Sequence, residues 1–143
     1  MSRSPFEFKV ETPPANGPLV LVVDDDEISR SVSSQLLARL GCVVNVAASG
    51  AEAIERAQRT AYELIFMDCH MPDMDGFTAT RKIREAGGSK APPVAALTAN
   101  TAVGDREKCF ASGMCDFVAK PARKAELARV LKTWTALARK PAG

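Results

Sequence analysis

Residues 64–76 read LIFMDCHMPDMDG, a short apolar run that ends abruptly on Asp68. An apolar run of this length between polar and turn-forming residues is typical of a fully buried strand, so we expect Asp68 at its carboxyl-terminal tip. In open α/β sheets, ligands bind at the edge that such tips form. A single aspartate in this position more often ends the strand and caps the following turn. A functional interpretation therefore needs other residues that converge on Asp68.

Strand-like and helix-like segments alternate on both sides of this stretch. The segments predicted as strands are residues 19–23, 43–47, 64–67, 94–97 and 116–119. The segments predicted as helices are residues 27–40, 50–60, 76–85, 103–112 and 124–138. One face of the first helix carries Ile28, Val32, Leu36 and Leu40, and the apolar side of the last carries Leu127, Val130, Leu131, Trp134 and Leu137. Five βα units in strict alternation predict an α/β fold with a doubly wound parallel sheet and helices on both faces.

The composition limits the class of protein. A chain of 143 residues fits one domain with short flanks, and the net charge of +2 predicts neither a nucleic-acid partner nor direct contact with an anionic membrane. The four cysteines form neither a CxxC pair nor a zinc-ligand pattern, and the longest wholly apolar run, residues 19–23, is too short to span a bilayer. We expect a soluble domain in a reduced, cytoplasmic setting, with any membrane anchor of the parent protein outside this segment.

Polar residues follow four of the predicted strands at the shared edge. They are Asp24, Asp25 and Asp26 after the first strand, Asp68 after the third, Thr98 after the fourth and Lys120 after the fifth. Three or more carboxylates at one edge repel one another unless a cation lies among them, and hard oxygen ligands suit Mg²⁺ or Mn²⁺. A carboxylate nucleophile, a metal, a lysine and a hydroxyl are what phosphoryl transfer requires.

Each of these residues also has an ordinary structural explanation. Acidic residues 24–27 suit the start of a helix, Thr98 suits a helix cap, and a single lysine such as Lys120 is usually solvated. Four such residues, each at the end of a different predicted strand, are much harder to obtain by chance.

Four motifs make the sequence resemble the response-regulator receiver domain of two-component signalling. They are LVVDDD at 21–26, MDCHMPDMDG at 67–76, ALTAN at 96–100 and FVAKP at 117–121. The resemblance covers roughly residues 18–137. It implies the flavodoxin-like strand order 2-1-3-4-5.

The resemblance also implies a phosphoacceptor and a metal site. Asp68 would accept the phosphoryl group. Asp25 and Asp68 would ligate Mg²⁺ directly, Asp24 would do so through a bound water, and the backbone carbonyl of His70 would be a further ligand. The side chain of His70 would flank the site and modulate the access of water to the acyl phosphate, whereas a role as a phosphate carrier is disfavoured. The neighbouring Cys69 is expected to be a packed thiol.

A second set of residues would respond to the phosphoryl group. Lys120 would pair with Asp68 at rest and with the phosphoryl group afterwards, across a cis peptide to Pro121. Thr98 would donate to a phosphoryl oxygen, and Ala99 would contribute its backbone N–H. Phe117 occupies the position of an aromatic switch and has no hydroxyl. The surface of the fourth helix, the fifth strand and the fifth helix would change, and it would also be the face of a homodimer.

The resemblance extends to the larger protein. Residues 6–10 resemble the final strand of a histidine-kinase ATP-binding domain, and MDCHMPDMDG with ATRKIR at 79–84 resembles receivers of hybrid sensor kinases. We therefore interpret residues 1–17 as a flank, 18–139 as the receiver and 140–143 as a tail. The partners would be a histidine kinase core or a histidine phosphotransfer domain. A free-standing single-domain response regulator is the alternative.

Two other classes stay open at this point. Asp24 and Asp26 can be interpreted as the nucleophile and acid of a haloacid-dehalogenase-like phosphatase, although Glu27-Ile28 stands where that family has a pair such as Gly-Thr. A receiver-like domain used only for docking is disfavoured because no site residue is missing. A receiver is an enzyme only in the sense that it catalyses its own phosphorylation and dephosphorylation.

Overall fold

The computed structural model describes residues 17–99 and 103–135, with the backbone alone for Val103. Several predictions from the sequence lie outside this part of the chain. They concern the strand at residues 6–10, the last turn of the final helix with Leu137, and the tail at 140–143.

Five parallel strands form one sheet. They are β1 (Leu19–Val23), β2 (Val43–Ala47), β3 (Leu64–Asp68), β4 (Val94–Thr98) and β5 (Asp116–Ala119). The strand order is β2-β1-β3-β4-β5, and every pairing is parallel. The predicted fold class and strand order are therefore confirmed. β3 and β4 each run one residue further than predicted, so Asp68 and Thr98 are the last residues of their strands.

Five α-helices connect or follow the strands. They are α1 (Glu27–Arg39), α2 (Gly50–Arg59), α3 (Gly76–Gly87), α4 (Val103–Ala111) and α5 (Lys124–Trp134). Side-chain oxygens accept from backbone N–H groups at the first turns of three of them, as N-caps do. Asp26 accepts from Ser29, Ser49 from Glu52 and Asp75 from Thr78. A short 3₁₀ helix, Gly88–Lys90, extends α3.

The core has two parts, one on each face of the sheet. Successive strand residues point to opposite faces, so Val20 and Val22 pack with α1 and α5, while Leu21 and Val23 pack toward α2, α3 and α4. Every residue of β3 and β4 is buried. Each large apolar side chain that is fully buried contributes about 1.5–3 kcal/mol, so the central strands hold the site edge firmly in place.

The apolar face predicted for α1 from the sequence is only partly buried in the core. Ile28 is 74% exposed and Val32 is 43% exposed, whereas Ser33 and Leu37 are buried. Residues four apart drift around an α-helix by about 40° at each step, so a row that starts at Ile28 turns away from the sheet. Leu36 and Leu40 do pack against the core. In α5, likewise, Leu127 is buried but Trp134 is 37% exposed.

Candidate functional site

Parallel register brings the polar strand ends to one edge. Val23 is paired with Met67, Asp68 with Leu97, and Thr98 with Ala119. The backbone N–H of Lys120 donates to the carbonyl of Thr98 at 2.8 Å, which continues the ladder past the end of β5. Four neighbouring strands therefore end at the same height. The residues at or directly after their ends are Asp24, Asp68, Thr98 and Lys120.

Three carboxylates meet at this edge. One carboxylate oxygen from each of Asp24, Asp25 and Asp68 lies within 4.8 Å of the others. Asp24 is fully buried, Asp68 is 4% exposed, and Asp25 is exposed to solvent. Like charges this close are costly without a cation, and the oxygen-only donor set fits a hard divalent ion such as Mg²⁺.

Lys120 lies between two of these carboxylates. Its Nζ is 3.0 Å from Asp24 Oδ2 and 3.4 Å from Asp68 Oδ2. Burial disfavours its charge, but the hydrogen bond with Asp24 and the charge of Asp68 outweigh that effect and raise the pKa of Lys120. The lysine therefore stays protonated and is shared between the two acids. The peptide from Lys120 to Pro121 is cis.

Asp24 is held by donors from several directions. Its Oδ1 accepts from the N–H of Asp26 at 3.0 Å, and its Oδ2 accepts from Ser29 Oγ at 2.6 Å in addition to Lys120. Burial works against the charged form, yet the hydrogen bonds from Ser29, the Asp26 N–H and Lys120 lower the pKa of Asp24. Asp24 is therefore a fixed, charged group.

Asp68 is in a different electrostatic state. Its Oδ1 accepts from the N–H of His70 at 3.2 Å, and its Oδ2 is the more distant partner of Lys120. Burial, together with the like charge of Asp24, raises the pKa of Asp68 to about 6 even though His70 and Lys120 act in the other direction. A buried carboxylate with a raised pKa is more nucleophilic than an ordinary aspartate, and such groups are common at reactive sites.

Gly76 allows the start of α3 to approach the end of β3. Its N–H donates to the carbonyl of Cys69 at 2.9 Å, and a Cβ at this position would collide with the backbone oxygen of Asp68. The loop between Asp68 and Gly76 is therefore short and folded back on the site. Within it, the His70 side chain is exposed and its ring lies edge-on to Phe77 at 6.2 Å.

The other predicted site residues lie along β4 and β5. Thr98 is 2% exposed, and its side chain is hydrogen-bonded to the Cys69 thiol. Ala99, directly after Thr98, is exposed. Phe117 is half-buried, with the Arg106 guanidinium 5.2 Å from its ring centroid and the Phe110 ring edge-on at 6.4 Å.

Two residues that contribute to the site were not predicted from the sequence. Ser29 bonds to Asp24 from the first turn of α1, and Arg106 covers Phe117 from α4. The only sequence signal for Ser29 is its position one turn into a helix that starts beside the acidic run. Asp26, the proposed acid of the phosphatase alternative, is exposed and caps α1 through Ser29 N–H at 3.0 Å. That use as a cap leaves the alternative without support from the geometry.

The helices within residues 17–99 and 103–135 include none that combines the length and apolarity needed to cross a membrane.

A family comparison covers most of the chain. The sequence model of the response regulator receiver domain matches residues 20–132. Hybrid signal transduction histidine kinase L of Dictyostelium discoideum is 41% identical over 121 residues, which are 80% of this chain and 7% of that protein. The chain thus spans a small fraction of the length of this curated relative.

Two solved structures have the same architecture. The receiver domain of sensor histidine kinase PA1611 from Pseudomonas aeruginosa PAO1, with a magnesium ion coordinated in its active site cleft, is 42% identical with a TM-score of 0.76. The match covers 82% of this chain and 97% of that chain. The receiver domain of response regulator Ssk1 from Saccharomyces cerevisiae, in complex with the histidine phosphotransfer protein Ypd1, is 27% identical. Its TM-score is 0.78, with 85% of this chain and 91% of that chain covered.

Proposed function

Because the chain belongs to the response regulator receiver domain family, we propose that phosphoryl transfer to the Asp68 side chain switches it. The observation that carries this proposal is the surroundings of Asp68. It is a nearly buried carboxylate at the end of β3, with Lys120 Nζ at 3.4 Å and oxygens of Asp24 and Asp25 within 4.8 Å. Nucleophile, cation and metal-binding oxygens are therefore together in one place.

The phosphoryl donor is a phosphohistidine of a partner protein. A carboxylate oxygen of Asp68 attacks phosphorus, an O–P bond forms as the P–N bond breaks, and the departing imidazole nitrogen keeps the electron pair of that bond. The product is an aspartyl phosphate. With a pKa of about 6, Asp68 is mostly ionised near neutral pH, as nucleophilic attack requires.

Magnesium fits the acidic edge. Asp25 and Asp68 would hold the ion directly, Asp24 through a water, and the backbone carbonyl of His70 would complete the protein's share. A divalent ion bound there neutralises the negative charge that collects on the transferring phosphoryl oxygens. The magnesium in the cleft of the Pseudomonas aeruginosa relative supports this assignment.

Lys120 and Thr98 respond to the new group. Lys120 already carries a positive charge beside Asp68 and needs a small movement to pair with a phosphoryl oxygen. The Thr98 hydroxyl, at the end of the next strand, leaves the Cys69 thiol to donate to the same group, and the N–H of Ala99 adds a second donor. Movement of Thr98 makes room for Phe117, which then changes the surface of α4, β5 and α5.

The test of this function is labelling with acetyl phosphate in the presence of Mg²⁺, followed by mass spectrometry of the intact protein. The wild type should gain a phosphoryl group, and Asp68→Asn should not, because an amide lacks the nucleophilic oxygen. Asp73→Asn is the matched control, since Asp73 is an exposed carboxylate five residues further along the same loop region. Undiminished labelling of Asp68→Asn would show that Asp68 is not the acceptor.

We further propose that the chain is the receiver of a hybrid sensor kinase in the cytoplasm, which exchanges phosphoryl groups with a kinase core or a histidine phosphotransfer domain. The hybrid kinase among its relatives and the phosphotransfer complex of Ssk1 support this setting. The domain limits 18–139 stay a prediction. The homodimer through α4, β5 and α5 stays a prediction as well. A phosphotransfer time course with purified kinase cores and phosphotransfer domains tests the partner, and the native start of the gene product separates this setting from a free-standing regulator.

A further inference from the structure

Two buried thiols meet beside the proposed phosphoacceptor, and the phosphoryl transfer uses neither. Cys69 Sγ and Cys109 Sγ are 3.9 Å apart, and each residue is 1% exposed. Cys69 directly follows Asp68 at the end of β3, whereas Cys109 lies in α4, 40 residues further along the chain. The sulfur contact therefore connects the site edge to α4.

Residues 104–111 of helix α4 bury few side chains. Across residues 104–111, Cys109 is the one buried side chain, and Phe110 is 51% exposed. Further contacts of this helix are made on the surface, where Phe110 and Arg106 pack against Phe117. A helix that buries so little apolar area opens locally at low free-energy cost, and an opening of α4 gives a small oxidant access to Cys109.

We propose that Cys69 and Cys109 are an oxidation site, at which a hydroperoxide converts the two thiols into a disulfide that ties α4 to the end of β3. One sulfur attacks the O–O bond, which forms a sulfenic acid and releases water or an alcohol. The second sulfur displaces the hydroxyl group as water and closes the S–S bond, so the two thiols lose two electrons and two hydrogens to the peroxide. A disulfide needs the sulfurs about 2 Å closer than their present 3.9 Å, so its formation requires side-chain rotation together with a shift of α4 toward β3.

The remaining cysteines provide an internal comparison. All four cysteines are free thiols. Cys42 is buried in the core cluster on the opposite face of the sheet, and Cys115 is partly exposed just before β5. Exposure alone therefore predicts oxidation of Cys115 first, whereas proximity predicts a specific link between Cys69 and Cys109.

The disulfide also has a regulatory consequence, which rests on the proposed function. Cys69 is hydrogen-bonded to the side chain of Thr98, the residue that is to move when Asp68 is phosphorylated. A covalent link from Cys69 to Cys109 restrains α4 against the end of β3. The oxidised domain then accepts a phosphoryl group on Asp68 without the change in the α4, β5 and α5 surface.

The test of the site is treatment of the intact protein with hydrogen peroxide, alkylation with N-ethylmaleimide under denaturing conditions, and peptide mass spectrometry. We expect a Cys69–Cys109 peptide pair and the loss of two alkylatable thiols. Cys115→Ser should form the same link, and Cys109→Ser should lose it. Recovery of both Cys69 and Cys109 as alkylated peptides after Cys115 has been oxidised overturns the proposal, as does a link of either to Cys115 in comparable yield. The wild-type peptide map decides the question even if Cys109→Ser does not fold.

Backbone amide exchange in α4 tests the consequence. Oxidation should slow exchange in this helix about tenfold or more, because the open state is then restrained. Acetyl phosphate should alter α4 exchange in the reduced protein and leave it unchanged in the oxidised protein. An equal response in both forms refutes the restraint on α4. If the reduced protein is not labelled at Asp68 at all, the regulatory consequence falls with the proposed function, and the cross-link result stands by itself.

Discussion

Strand β5 has an ion pair at each end, and the two pairs differ in how well the charges are matched. At its start, Asp116 accepts from both Nη atoms of Arg129 at 3.2 Å, from Trp134 Nε1 at 3.0 Å and from the N–H of Phe117 at 2.8 Å. Just past its end, Lys120 is shared between two carboxylates at 3.0 and 3.4 Å. At the start of β5 a single carboxylate, that of Asp116, accepts several hydrogen bonds. Past the end of β5 a single lysine is shared by two carboxylates.

This difference shifts the pKa values of the two acids Asp116 and Asp68 in opposite directions. Although burial acts the other way, the hydrogen bonds from Arg129 and Trp134 lower the pKa of Asp116, so its charge is stabilised. Burial and the charge of Asp24 raise the pKa of Asp68 to about 6, so its charge is destabilised. A carboxylate in the second state is stabilised when it binds a cation. The excess negative charge at this edge of the sheet thus favours the binding of a cation.

The largest expected effect on stability is that of Lys120→Gln. Removal of the cation leaves the fully buried Asp24 and the nearby Asp68 uncompensated, which should lower the free energy of unfolding by about 3 kcal/mol in metal-free buffer. Arg129→Gln is the matched control at the other end of β5, and because the Arg129 side chain is 45% exposed it should cost at most about 1 kcal/mol. Urea denaturation monitored by circular dichroism measures both.

Added Mg²⁺ sharpens the first result. The ion should narrow the stability difference between the wild type and Lys120→Gln and leave the difference between the wild type and Arg129→Gln unchanged. Labelling of Lys120→Gln by acetyl phosphate should persist with a weaker conformational response. Equal losses for the two variants, independent of Mg²⁺, would mean that the two ends of β5 are not different in kind.

The second effect concerns Asp25 and the metal. Mg²⁺ at a concentration 100-fold above its dissociation constant should stabilise the wild type by about 2.7 kcal/mol, because the ion binds the folded state alone. Asp25→Asn should lose most of this stabilisation at the same concentration. Glu27→Gln is its control, since Glu27 is an exposed acid in the same run outside the carboxylate cluster. Thermal unfolding with and without Mg²⁺ measures the shift, and an unchanged shift in Asp25→Asn would remove Asp25 from the metal site.

The smallest effect is a pH dependence of opposite sign at the two ends. The raised pKa of Asp68 means that its ionisation costs stability above about pH 6, and this cost fades as the pH falls from 6 toward the ordinary value of 3.8. The lowered pKa of Asp116 means that its contribution is present above 3.8 and is lost as the pH falls below that value.

Two variants separate these contributions in metal-free buffer. Asp68→Asn should be more stable than the wild type near pH 7, with a smaller advantage at about pH 5, whereas Asp116→Asn should be less stable than the wild type at both. Urea denaturation at the two pH values measures the differences. A destabilised Asp68→Asn near pH 7 would contradict the charge imbalance proposed for the site edge.

Local patterns in the chain were sufficient for the elements and for the residues at the strand tips. Short apolar runs that end on Asp68 and Thr98 predicted buried strands, because a strand covered on both faces must be apolar throughout. The same kind of reasoning was wrong for Ile28 and Val32. A row of apolar residues does not by itself say which side of a helix meets the sheet, and that choice depends on how the whole helix packs.

The sequence by itself determined the order of strands and helices, the acidic and basic residues available at one edge and, through its motifs, the family. Only the tertiary structure decided how those charges are shared. The hydrogen bond from Ser29 to Asp24 and the position of Lys120 between two acids both depend on how separate elements are placed. The contact of Cys69 with Cys109 is of the same kind. No local pattern links residues 40 apart, and they meet because β3 and α4 pack on the same face of the sheet.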